Sequence, residues 1–142
     1  MKSAIIILAL FSHLPIAEAT EITCPSKVDL TGLYTNPPAG WHAYKRQGSS
    51  KQQSKGKLGL FKSVAPHDGS PVEGLGDLIP DNDDSGKKQG FWIWSLRGIT
   101  SKYAGCEYSG TNVILIKKIE GENISSCRVP AIGEKQNQLS CY

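Results

Sequence analysis

Four cysteines, Cys24, Cys106, Cys127 and Cys141, set the strongest constraint on this 142-residue chain. An even number of thiols behind an export signal closes as two disulfides in an oxidising compartment. A domain of this size has a marginal core and leans on such cross-links. A zinc site built from all four thiolates would need closely spaced pairs, and the chain contains no C-x2-C. Three pairings are open. If Cys127 and Cys141 flank a hairpin around Ile132-Gly133-Glu134 they are natural partners, and Cys24 is then left to tie the N-terminus to the segment of Cys106. Cys24–Cys106 and Cys127–Cys141 are therefore the preferred pairs.

The export signal is local. Lys2, an unbroken apolar run from Ala4 to Phe11, a break at His13 and Pro15, and Ala17-Glu18-Ala19 form a charged start, a short apolar stretch and an A-x-A cleavage site. The run is far shorter than the roughly 20 residues that span a bilayer. The expectation is a signal peptide over 1–19, cleaved after Ala19, and one disulfide-stapled domain over 20–142, periplasmic and without membrane insertion. Cleavage removes Lys2 and Glu18 together, so the mature chain keeps a net charge of +3. That permits attraction to an acidic protein or an anionic polymer, and no nucleic-acid motif accompanies it.

Strand signals dominate the mature chain. Residues 91–96, 102–108, 111–117 and 124–129 are rich in aromatic and β-branched side chains and are separated by Arg97-Gly98, Ser109-Gly110 and Glu120-Gly121. Such spacing predicts a strand meander that carries the core, with Tyr103 and Tyr108 clustered around the disulfide of Cys106. Further strands are expected at Glu21–Cys24, over Val28–Tyr34, from Trp41 to Tyr44, and over Leu58–Val64. In the last, Leu58, Leu60 and Val64 should share one face and Phe61 the other. Pro66-His67-Asp68-Gly69-Ser70-Pro71 reads as a turn, and Leu75, Leu78 and Ile79 as a short strand or a single helical turn. No long helical periodicity appears. The fold class is all-β, a small antiparallel β-sandwich or meander with two disulfides and little helix.

Chemistry is harder to find. Asp81-Asn82-Asp83-Asp84-Ser85-Gly86 begins as a calcium loop would, but the twelfth place is Trp92, not a bidentate Glu. The two mature histidines, His42 and His67, lie in different segments without metal-ligand spacing, and Glu73 and Asp77 form only a loose carboxylate pair. There is no nucleophile elbow, phosphate loop or H-E-x-x-H helix. These readings point away from an enzyme and imply no cofactor or metal. Candidate contacts are the basic Lys45–Lys57 loop, with Lys45, Arg46 and Lys51, and the Asp68–Glu73 loop, with Asp68 and Glu73. Trp41 is a core aromatic or a stacking platform.

An ordered set of short motifs adds to this. Ile22-Thr23-Cys24-Pro25, Ala39-Gly40-Trp41, Asp68-Gly69-Ser70-Pro71 with Glu73 and Leu78-Ile79-Pro80 come first. Trp94, Cys106-Glu107-Tyr108-Ser109-Gly110-Thr111, Cys127-Arg128-Val129 and a C-terminal cysteine follow. Together they resemble a family of small exported, disulfide-bonded proteins of Gram-negative bacteria named after a hypothetical open reading frame. The resemblance spans nearly the whole mature chain and implies a periplasmic, β-rich domain. It carries no catalytic residues, and the basic insertion between Tyr44 and Lys57 departs from it. Comparable small periplasmic proteins act as immunity factors or lysozyme inhibitors, an analogy of fold and compartment. The leading expectation is a periplasmic, non-enzymatic binding protein, an inhibitor or immunity protein against a cell-wall-degrading enzyme or toxin. The alternative is an envelope polysaccharide binder that uses an exposed Trp41, Trp92 or Trp94, and a small hydrolase with an unrecognised site stands third. Oligomeric state is open.

Overall fold

A computed structural model describes residues 19–46 and 56–142. The expected signal segment up to residue 18 and most of the basic loop, Lys51 included, lie outside the described residues. Strands β1 (Thr20–Thr23), β2 (Lys27–Asp29), β3 (His42–Lys45), β4 (Leu58–Ser70) and β5 (Gly74–Asp77) precede a four-residue helix α1 (Gly86–Gln89). After it come β6 (Phe91–Ser95), β7 (Lys102–Tyr108), β8 (Val113–Lys118), β9 (Ser126–Pro130) and β10 (Gln138–Cys141). The expectation of an antiparallel all-β fold with little helix holds.

The central strands, however, do not form one meander. β6 and β9 pair with each other in a four-stranded sheet of order β1-β10-β9-β6. β7 and β8 belong to a six-stranded sheet in which β2-β4-β7-β8-β3 run in order and β5 pairs the far half of β4. The two sheets share one core, in which Ile22, Trp94, Cys127 and Leu139 of the first meet Val64, Cys106 and Leu115 of the second. The structure thus takes the sandwich branch of the expected fold class. Turn residues mark where strands end; they carry no information on which strand lies alongside.

Both preferred disulfides form. Cys24, just past β1, bonds Cys106 on β7 and so ties one sheet to the other. Cys127 and Cys141 face each other across the β9–β10 pair. Of the two tyrosines near Cys106, only Tyr108, two residues on, shares its face and is buried. Tyr103, an odd number of residues away, points to the opposite face, as the period of two demands. Burial raises the Tyr108 phenol above its ordinary pKa, and its ring packs edge-on to Phe61 at 6.4 Å.

Three local expectations are corrected. β2 stops at Asp29, whose carboxylate accepts from Thr31 N at 2.8 Å and turns the chain; Leu33 is buried in the turn that follows and Tyr34 is exposed. Second, Pro66 to Ser70 is strand, not turn. Pro66 lies between the part of β4 that pairs β2 and the part that pairs β5, where that edge has no partner among the described residues and a residue without N–H is tolerated. The reversal comes at Pro71–Glu73. Third, the pairing of β4 with β7 shifts register between Phe61 and Ser63. One extra residue there reverses the alternation, so Phe61 and Val64 both turn toward the core while Leu58 and Leu60 turn outward.

The acidic turn after Pro80 has a structural use. Asn82 donates through Nδ2 to Phe91 O at 2.9 Å and accepts through Oδ1 from Ile93 N at 2.9 Å. Asp81 N donates to Ile93 O at 2.7 Å. These bonds cover the free edge of β6 as a neighbouring strand would.

Removing the disulfides one at a time should separate their contributions. The Cys24–Cys106 bridge closes 82 residues and Cys127–Cys141 closes 14. Loop-closure entropy then predicts losses of about 4.5 and about 3 kcal/mol for the two double-alanine variants at 25 °C. Urea unfolding of the oxidised proteins measures the difference, and the longer loop should cost more.

Candidate functional site

The six-stranded sheet has a second face, turned away from the shared core. On it lie Ser63, Ala65 and His67 of β4, Tyr103, Gly105 and Glu107 of β7, Ile114 and Ile116 of β8, and Tyr44 of β3, as the register requires. β5 and β3 stand at its two edges. In a flat sheet four spacings would hold them about 19 Å apart. Leu75 N on β5 nevertheless lies 3.4 Å from Tyr44 Oη on β3. The sheet therefore curls until its edges approach, and this face is the inside of the curl. Ile114 and Ile116 are buried there, forming a small second apolar core.

Arg46, immediately after β3, closes the curl. Its guanidinium reaches Asp77 Oδ1 of β5 at 2.8 Å through one nitrogen and Glu107 Oε1 of β7 at 2.6 Å through another. Glu107 also accepts from Ser63 Oγ at 3.1 Å and lies 3.8 Å from Lys62 Nζ. Two carboxylates held by one rigid fork make a geometric tie that Lys could not reproduce. The tie is partly solvated, Arg46 being 35% exposed and Asp77 67%, so its value lies in geometry more than in energy.

Beneath it sits His67, the one charged or polar residue of the buried set among the described residues. Its Nδ1 lies 3.1 Å from Asp77 Oδ1 but off the direction of a good hydrogen bond, and has no well-aligned partner among the described residues. The imidazole rests on Gly105, where any added Cβ would overlap the ring. Burial lowers the His67 pKa below 6.5; Asp77 and Glu107 push it back up, and Arg46 pushes it further down. Ser63 Oγ donates its hydrogen bond to Glu107 and not to His67, so these residues do not form a nucleophile relay. A cavity of about 190 Å³ opens over the cluster between Arg46, His67, Asp77 and Glu107. Farther along the same face a shallow groove of about 720 Å³ runs between His42 and the Ser70–Val72 turn, with Tyr103 and Ile116 in its floor.

The residues expected from sequence fall unevenly around this face. Arg46 is at its centre, but as an internal tie. Lys45 is exposed on β3, and Glu73 is exposed in the β4–β5 turn. Asp68 is half-buried on β4 opposite Gly76 and Lys102. Glu73 and Asp77 do not work together, because Asp77 turns to His67 and Arg46. Trp41 is half-buried against the core with Lys117 Nζ 5.9 Å from its ring. Trp94 is buried and donates to Leu78 O, and Trp92 covers Gly86. None of the three tryptophans is fully exposed: Trp94 is buried, and Trp41 and Trp92 are half-buried. Sequence reasoning missed Glu107 and the convergence on His67. The alternation 63-65-67 against 103-105-107 was the available signal, but it pairs only once β4 is known to lie beside β7.

Residues 52–142 match the family model described as Type VI secretion system Tli immunity protein, which covers more than half of the chain. No curated protein and no solved structure matches it.

Two outcomes test the cluster. The unfolded chain binds a proton near pH 6.5 that folded His67 resists, so this contribution to stability is complete above 6.5 and is lost as pH falls below it. Unfolding free energies of the parent should decline over that window more steeply than those of His67→Gln. Gly105→Ala should cost about 1–3 kcal/mol by crowding the imidazole, and combining it with His67→Ala should recover part of that loss in chemical denaturation.

Proposed function

The chain belongs to the type VI secretion system Tli immunity protein family, and from that premise we propose that it protects its cell by binding an incoming effector stoichiometrically, without chemistry of its own. The family match carries this reading. The arrangement of the curled face supports it: Arg46, Asp77, Glu107 and Ser63 are engaged with one another, and His67 is buried beneath them. Groups spent on one another hold a surface in shape, and a surface held in shape is what tight docking needs. Lys45 and Glu73, both exposed, and the half-buried Asp68 are contacts at its rim. Arg46 positions that rim.

The proposed site of action is the periplasm. Two disulfides, one of them joining the two sheets, belong to an oxidising compartment. The segment 1–19 has the composition of a signal peptide. None of the described helices is long and apolar enough to cross a membrane. The proposed partner is an envelope-degrading enzyme, with peptidoglycan as the substrate expected from sequence.

Expression in a bacterium that receives each type VI effector of the strain of origin in its periplasm provides the test. The full chain should restore growth, and a chain starting at Thr20 should not. Purified protein should inhibit its effector with an end-point near one to one. Release of muropeptides by the uninhibited effector would establish the peptidoglycan arm; release of fatty acids would replace it with a membrane-lipid target. Protection at strongly substoichiometric amounts would overturn binding as the mechanism.

A further inference from the structure

The first residues of β4 invert the usual arrangement of a half-buried strand. Such a strand points apolar side chains inward and polar ones to water. Here the inward position is Gly59, whose missing side chain leaves room for Leu30; a Cβ would stand 2.7 Å from Leu30 Cδ2. The outward positions are Leu58 and Leu60, 54% and 57% exposed. The bulge between Phe61 and Ser63 creates this inversion, because without it both leucines would follow Val64 into the core. One exposed leucine needs no explanation. Two adjacent ones on a single face, turned out by a bulge over an inward glycine, form a ridge.

The surroundings of the ridge are basic. Lys27 on β2 pairs with Leu60, and Lys57, just before β4, and Lys62 on it flank the leucines, all three exposed. The one nearby carboxylate on β2, Asp29, is turned into its own bend by Thr31 N. Lys62 keeps 68% exposure despite standing 3.8 Å from Glu107. Leu58, Leu60, Lys57 and Lys62 all fall within the stretch that matches the immunity family. The ridge also lies on the same side of β4 as Ser63 and His67, so it extends the curled face already described.

We propose that the Leu58–Leu60 ridge is the anchor by which this protein docks on its effector, and that the complementary effector surface is an apolar depression rimmed by acidic side chains. The proposal rests on the preceding reading of immunity by direct binding. Two leucines in a depression provide the desolvated centre that hot spots require, and the lysine rim provides steering and orientation. A second copy of this chain is a poor occupant, since a two-fold contact through the ridge would set these lysines against each other.

The test uses the oxidised 20–142 protein and type VI effectors of the strain of origin, purified singly as catalytically inactive variants. Leu58→Glu with Leu60→Glu should weaken binding of the cognate effector by about a hundredfold or more while both disulfides and the thermal midpoint are kept. Ile132→Glu, an exposed apolar position on the β9–β10 hairpin of the other sheet, should bind as the parent does. Charge reversal at Lys27, Lys57 and Lys62 should slow association and flatten its salt dependence. If the double glutamate variant does not fold, Leu60→Ser is expected to cost about tenfold. Parent-like affinity in the leucine variants would overturn the proposal. So would a parent dimer that these variants dissolve, or retention on phosphatidylglycerol vesicles that they abolish without affecting effector binding. Capture of none of the effectors by the parent protein would remove the binding reading itself, and the anchor with it.

Discussion

The covalent bond between Cys24 and Cys106 is the constraint on which the rest of the fold depends. It joins the strand that opens the first sheet to the middle of the second, and both of its cysteines are fully buried. A chain with a core this small has little apolar area with which to hold two sheets together. The bond removes much of the freedom that the separated sheets would have in the unfolded chain. With β7 fixed at Cys106, its alternation is fixed as well. Cys106 and Tyr108 face the shared core, and Gly105 and Glu107 face the curl.

From that division the curled face follows. β7 presents Gly105 as a floor for His67 and Glu107 as one end of the Arg46 tie. The neighbouring β4 supplies Ser63 and His67 in register with them. Curling is then needed to bring Tyr44 and Arg46, on the far edge, to Leu75 and Asp77 on the other. The result is a concave surface stiffened by an ion-pair fork at its rim and a buried imidazole below. Stiffness here is compatible with immunity by docking, since a pre-shaped surface loses less freedom on binding than a loose one.

The same strand that builds this face also breaks its own pattern. β4 runs from the curled interior out to a ridge of leucines, and the bulge at Phe61–Ser63 is the switch between the two environments. A bulge costs a ladder bond and local regularity, and here it turns two leucines outward. An uninterrupted strand would have placed that surface in the core and Phe61 in water.

Much of this was legible in the residues alone. Strand positions over 91–129 follow from local preference and punctuation by glycine. The pairing of Cys127 with Cys141 follows from a short hairpin, and elimination then leaves Cys24 with Cys106. Local information failed wherever the outcome depended on a distant neighbour. Pro66 to Ser70 looked like a turn, yet β5 and β7 hold it as strand from both sides. His67 looked solitary because Asp77, Arg46 and Glu107 reach it from three other segments. The leucines of β4 looked buried, because a one-residue bulge leaves no mark in an alternating sequence. What the sequence by itself determined was the all-β class and its two cross-links, since each rests on short-range geometry and on the chemistry of single residue types. Which strands share a sheet, which face each side chain takes and which charged groups converge were decided only by the tertiary structure, because register and curl arise from contacts between segments far apart in the chain.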